Sequence, residues 1–236
     1  MIVVNGDSFV HEYHLPVESR WSTIVGADVN LATGAGSNDR MFSTTIEFLS
    51  NNKVKTLVMG WTRWERSFLN KSNGSRYKIC GDRATDEMLG DATNDPKVVR
   101  FYYEKIFNEF TQLKNMLVQM IHMQEYCHEK INLVNFATTF DRKDLTDKDL
   151  QKIASTSFIS PANLVTPYLE KKAIDDNYKL LKEYISRLNP DTWVDKQVFS
   201  SMIPLREGFP QIDDHIGIEG TQHWAKLIQK HIDIIQ

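Results

Sequence analysis

Cysteine is scarce in this chain of 236 residues: Cys80 and Cys127 stand far apart and form no CxxC pair. That excludes a disulfide-stapled scaffold and a cysteine-rich metal site, and the two read as free thiols in a reducing compartment. A basic excess is missing as well. Lys and Arg number 28 against 31 Asp and Glu, for a net charge of -3, and with no long basic run nothing points to nucleic acid. No apolar stretch approaches the ~20 residues of a membrane span. Asn5-Gly6-Asp7 cuts the N-terminal apolar run too early for a signal peptide. These absences together read as a soluble, cytoplasmic protein. Repeats and Pro-, Gly- or Ser-rich linkers are also lacking, so residues 1–236 read as one domain, large enough to bury a full core unaided. Nothing in the sequence sets an oligomeric state.

What is present is an alternation of strands and helices. Ile2 to Val4 reads as a short buried strand, followed by a helical segment from about His11 to Trp21. A second strand is expected at Asp28 to Ala32, then a glycine turn, Thr33-Gly34-Ala35-Gly36. Ser37 then caps a helix to about Leu49, with Asp39 in its first turn. Lys55 to Trp61 and Ile131 to Phe136 supply two more strands. Between them, apolar residues from Val98 to Ile121 recur at helical spacing, which predicts one long helix from Lys97 to about His128. Residues 66–96 read as a polar excursion, and residues 141–200 as a helical insertion with helices near Thr146–Ala154 and Ala173–Leu188. A last helix runs from Glu219 to Ile235. This order predicts an α/β fold with a parallel sheet and right-handed crossovers.

Ser8 falls on the turn after the first strand, at the rim where open α/β sheets bind ligands. A serine hydroxyl is a poor nucleophile until a base removes its proton, and that base is usually a histidine oriented by a carboxylate. The far end of the chain offers Asp213-Asp214-His215. The remaining candidates are weaker. His11, His14, His122, His128 and His223 share no metal-ligand spacing, so no metal is expected, although His11 and His14 follow Ser8 closely. Trp61, Trp64, Glu65 and Arg66 suit either sugar recognition or a packed edge. Met116, Met120 and Met123 lie at helical spacing and read as core.

Four segments in order carry a family resemblance. Gly6-Asp7-Ser8 resembles the first block of the SGNH (GDSL-type) hydrolases, and Asp213-x-His215, followed by Gly220 and Ala225, resembles their last. Asn30 to Asn38 (NLATGAGSN) is similar to the second block. Gly60-Trp61-Thr62 stands where the third block, GxND, would be. The GxSxG elbow of the α/β-hydrolases is absent.

The resemblance implies a flavodoxin-like three-layer α/β/α sandwich and ester hydrolysis through an acyl-enzyme, with no cofactor. Ser8 would be the nucleophile, His215 the base and Asp213 the acid, with Asp214 as the alternative. The backbone of Ala35 or Gly36, together with Asn38 or Thr62, would complete an oxyanion hole. The expected substrate is a small acyl ester, such as an O-acetyl carbohydrate or a short-chain ester. Three departures stand out: Ile212 occupies the usual aspartate position, Ala35 the usual glycine, and Thr62 the usual oxyanion asparagine. The last departure leaves a second reading, a weakly active or inactive binding protein of the same fold, and an acyltransferase is a third. The WTxxxR run from Trp61 to Arg66 resembles SGNH-like proteins encoded by phages.

Overall fold

Short apolar runs ending in polar turns become the strands of this chain. The computed structural model describes residues 1–70, 76–80, 83–86, 96–157 and 167–235. The N-terminal half contains β1 (Ile2–Asn5), α1 (Ser8–His11), α2 (Trp21–Ile24), β2 (Val29–Asn30), α3 (Asn38–Asn51) and β3 (Thr56–Trp61). Three short strands follow, β4 (Ser67–Asn70), β5 (Arg76–Cys80) and β6 (Arg83–Asp86). Next come α4 (Pro96–Lys105), α5 (Glu109–Cys127), β7 (Asn132–Ala137), α6 (Asp147–Thr156) and α7 (Pro167–Ser186). The chain ends with α8 (Ile203–Gly208), β8 (Gln211–Ile212), β9 (His215–Ile216) and α9 (Ile218–Ile235).

The central sheet is parallel, in the order β2-β1-β3-β7, with Val3 opposite both Val29 and Leu57, and Leu57 opposite Leu133. Both faces are covered, so the strands are apolar almost throughout. Val3, Leu57, Met59 and Leu133 pack against α3 and α5. Val4, Val58, Val134 and Phe136 pack against α2 and α9. This is the flavodoxin-like three-layer arrangement, and its strand order reverses between β1 and β3, which places a crevice at their C-terminal ends. Beyond β7, the segment after α7 follows the sheet edge. It pairs in parallel at Asn135 with Trp193 and at Ala137 with Ser201, and the Ala137 N–H donates to the Ser200 carbonyl at 2.7 Å. The end of the expected 141–200 insertion thus belongs to the sheet, where it covers the edge of β7.

Three other expectations are corrected. The helix predicted for residues 11–21 is instead α1, a 3-10 turn at Val17–Ser19 and α2. Asp7 starts α1 early, and Glu12, at φ 52°, ends it in the left-handed region. The long helix 97–128 is split into α4 and α5. Asn108 adopts extended backbone and caps α5, its side chain accepting from the Thr111 N–H at 2.9 Å. The polar excursion 66–96 forms, in its described parts, an antiparallel sheet in the order β4-β5-β6, with Ile79 of β5 buried beside Tyr102 of α4. Residues 71–75, 81–82, 87–95 and 158–166 lie outside the described residues. Among those described, no helix is long and apolar enough to cross a membrane.

Glu12 joins α1 to α2. Its carboxyl group is buried and accepts from the Trp21 N–H at 3.0 Å, with longer contacts to the Ser22 N–H and hydroxyl. Burial raises its pKa to about 8, against the opposing pull of these hydrogen bonds and of Arg20. A carboxyl whose folded pKa exceeds its unfolded value binds more protons when folded, so stability falls as pH rises between about 4.5 and 8. Glu12→Gln keeps the Trp21 bond and removes the titration. The variant is expected to lose less stability than wild type between pH 5 and 8.5, by an amount on the order of 2–4 kcal/mol. Denaturant unfolding at the two pH values measures this, and parallel losses in both proteins would contradict it.

Candidate active site

Ser8 owes its position to local packing at the end of β1. Asp7 is the N-cap of α1, its Oδ1 accepting from the Phe9 N–H at 3.0 Å. Val10, one turn on, lies against the backbone of both Gly6 and Gly60. A Cβ would come within 2.2 Å of its side chain at Gly6 and 2.5 Å at Gly60, so only glycine lets α1 sit this low on β1 and β3. Ser8 is therefore held at the crevice between those strands, 9% exposed. Neither its Oγ nor its N–H has a hydrogen-bond partner among the described residues.

The Asp7 carboxylate itself is fully buried and ties three strand ends together. Besides the Phe9 N–H, it receives Arg66 Nη1 at 2.6 Å from the loop after β3. It also receives the Thr138 hydroxyl at 2.9 Å from just beyond β7. The Arg66 side chain is 14% exposed, so this is a nearly buried, charge-assisted pair. Arg66 closes the WTxxxR run. Thr138 and Thr139 are polar residues following the last residue of β7, and that position at the rim is the only sign of them in the sequence.

The second segment packs beside the turn that carries Ser8. The Thr33 N–H donates to the Gly6 carbonyl at 3.3 Å, and the Gly36 N–H closes a four-residue turn onto Thr33 at 3.1 Å. Ala35 sits at the third position of that turn with φ 54°, where a type II turn favours glycine. The Gly36 donor is thus occupied, whereas the Ala35 N–H has no partner among the described residues. Asn38 and Thr62 form a reciprocal pair. The Asn38 amide donates to the Thr62 carbonyl at 2.8 Å, and the Thr62 N–H donates back at 3.0 Å. The Thr62 hydroxyl is 2.9 Å from that of Thr139, which also accepts from the Arg63 N–H.

His215 arrives on a different structure, the β8–β9 hairpin. Its two turn residues, Asp213 and Asp214, have φ of 49° and 61°, the type I′ geometry that suits a two-residue hairpin. Their side chains are exposed. His215 Nδ1 lies 2.7 Å from the Asp213 carbonyl oxygen, and a carbonyl only accepts, so Nδ1 carries the proton. Nε2 is then the basic nitrogen, buried and without a partner among the described residues. The contact that Asp213 makes with the imidazole is through its main chain. The His215 ring packs on Phe9 at 4.7 Å and on His14 at 4.6 Å between centroids, with Tyr13 at its edge. Phe9, the residue after Ser8, thus contacts a ring from the far end of the chain, although no hydrogen bond joins Ser8 to His215.

Trp61 and Trp64 turn out to be core. Trp61 donates to the Asn135 side chain at 2.9 Å, and Trp64 packs on Phe140. The cluster after β3 is a packed edge, with Arg66 directed to Asp7. Among the described residues no three His, Cys, Asp or Glu side chains gather as a metal-binding group.

Removing one partner of a buried ion pair typically costs about 3–5 kcal/mol, because the other charge is left uncompensated. Asp7→Asn is expected to destabilise the protein by that order, and Asp7→Asn combined with Arg66→Met by less than the sum of the single changes. A double-mutant cycle in denaturant measures the coupling, and additive losses would mean that the pair contributes nothing.

No family model and no curated protein matches the chain. Two solved structures are similar to it over nearly their full length. One is the crystal structure of TesA, at 10% sequence identity and a TM-score of 0.46, covering 100% of this chain and 99% of that one. The other is a member of the lipolytic protein G-D-S-L family from Veillonella parvula DSM 2008, at 11% identity and a TM-score of 0.41, covering 97% and 96%.

Proposed function

We propose that the chain is a serine ester hydrolase of SGNH type, acting on small acyl esters through an acyl-enzyme. The observation that carries this reading is the contact of the His215 ring with Phe9, the residue that follows Ser8. Ser8 Oγ stands at the crevice of the sheet, and the unprotonated His215 Nε2 sits on a ring packed against Phe9, the next residue. In the proposed reaction Ser8 Oγ attacks the ester carbonyl carbon while His215 Nε2 takes its proton. The tetrahedral intermediate collapses, the C–O bond to the alcohol breaks, and His215 returns the proton to the departing alkoxide. Water, deprotonated by the same nitrogen, then releases the acid and frees Ser8.

The oxyanion donors in this reading are the backbone N–H groups of Ser8 and Ala35, neither of which has a partner among the described residues. Asn38 and Thr62 act behind them by fixing the loop. Asp213 supplies the third member of the triad through its carbonyl, which orients the imidazole and its tautomer but stabilises the imidazolium less than a carboxylate. The expected rate is accordingly modest. A separate cleft of about 700 Å³ lies on the far side of β7, bounded by Leu205, Trp224 and Leu227 and by Arg142 and Lys143, and neither Ser8 nor His215 lines it. One observation favours an inactive binding protein instead: the Asn38 amide, a candidate oxyanion donor, is spent on the Thr62 main chain.

Hydrolysis of p-nitrophenyl acetate and longer homologues decides between the two. Ser8→Ala is expected to lower kcat by about 10³-fold or more. Asp213→Asn, which keeps the carbonyl and tolerates the left-handed turn, is expected to stay within about threefold of wild type. Where a carboxylate orients the histidine, the equivalent change costs about 10⁴-fold, and a loss of that size would return the role to the Asp213 side chain. Equal background rates in wild type and Ser8→Ala would leave the binding reading standing.

A further inference from the structure

The residue that carries the proposed base has little holding it in place. The β8–β9 hairpin forms its own two-stranded sheet, separate from the central one. Its Gly217 N–H bond to the Pro210 carbonyl, at 3.0 Å, is internal to the same segment. Ile216 is anchored in the core, but His215 points the other way along the strand. A histidine so placed needs a second constraint if its Nε2 is to stay on a serine that belongs to β1.

That constraint is His14. Its Nε2 lies 3.1 Å from the Ile216 carbonyl oxygen, a bond between residues 202 positions apart. The carbonyl accepts, so His14 Nε2 carries the proton and Nδ1 does not. Nδ1 is buried, with no partner among the described residues. The same ring lies 4.6 Å from that of His215 at an interplanar angle of 33°, and Phe9 contacts His215 at 4.7 Å. We propose that His14 is a positioning residue for His215: it ties β9 to the segment that follows Ser8 and braces the imidazole in the position where the Asp213 carbonyl fixes its tautomer and leaves Nε2 free. The proposal rests on the hydrolase reading of Ser8 and His215.

His14 must be neutral for this, because a cation beside His215 would oppose the imidazolium that forms in the reaction. Burial first, with the charges of His215 and Arg20 adding to it, lowers the His14 pKa below the ordinary histidine value. The Ile216 bond and Asp213 act in the opposite direction.

Two variants separate the bond from the stacking. His14→Phe keeps an aromatic face and removes the donor, whereas His14→Gln restores an amide donor of similar reach. The readouts are kcat and KM on the ester that wild type hydrolyses best, and the ¹⁵N shifts of the His215 ring. His14→Phe is expected to lower kcat about 10- to 100-fold with KM nearly unchanged, and to move the His215 nitrogens from a single tautomer to an exchange average. His14→Gln is expected to recover most of both. Unchanged His215 shifts in His14→Phe would overturn the proposal whatever the rates. If wild type hydrolyses no ester, the hydrolase reading fails on its own, and the shifts alone still decide whether His14 fixes His215. A His14→Phe protein that does not fold leaves the decision to His14→Gln. Wild-type shifts there uphold the donor role, and averaged shifts despite the restored donor overturn it.

Discussion

A single carboxylate just past the first strand governs the geometry of the sheet's C-terminal rim. Asp7 holds the first turn of α1 through the Phe9 N–H, the loop after β3 through Arg66 and the end of β7 through Thr138. Parallel strands meet through main-chain ladders, but their C-terminal loops diverge once the ladder stops. A buried anion that accepts from all three loops stops that divergence. The lack of a β-carbon at Gly6 and Gly60 adds a steric limit, since it lets Val10 draw α1 onto the sheet. Ser8 sits between these two constraints, so its position follows from β1 and β3 themselves.

The base is placed by different means. His215 depends on a short hairpin, Gln211 to Ile216, whose tight turn forces Asp213 and Asp214 into the left-handed region. That conformation points the Asp213 carbonyl at the imidazole and leaves both carboxylates in solvent. An aspartate three residues before the histidine would have come from the position of Ile212, which pairs with His215 across the hairpin. Phe9 of α1, with Tyr13 and His14 just after it, forms the wall on which the His215 ring rests.

Much of this was legible in the residues and some was not. The apolar runs at β1, β3 and β7, and the Ser37 cap of α3, carry their signals locally, and they fold as read. The failures share a cause. Asp7 and Asn108 begin helices through side-chain bonds to the Phe9 and Thr111 N–H groups, Glu12 ends one by entering the left-handed region, and periodicity is blind to all three. Hence the helix expected after His11 begins at Ser8 instead, and the long helix breaks before Glu109. The β8–β9 hairpin is too short to show alternation. Ser8 and His215 could be named from type and spacing, whereas Arg66, Thr138 and His14 act through contacts that only the fold creates. The side chain of Asp213 could be proposed from sequence, but its carbonyl could not.

The central claim is that Ser8 is an activated nucleophile. Incubating the protein with a fluorophosphonate probe, followed by intact mass and peptide mapping, tests it without knowledge of the substrate. One covalent adduct per chain on Ser8, absent in His215→Ala at the same folded concentration, is the expected result. No adduct, or one that persists in His215→Ala, would contradict the pairing of these two residues.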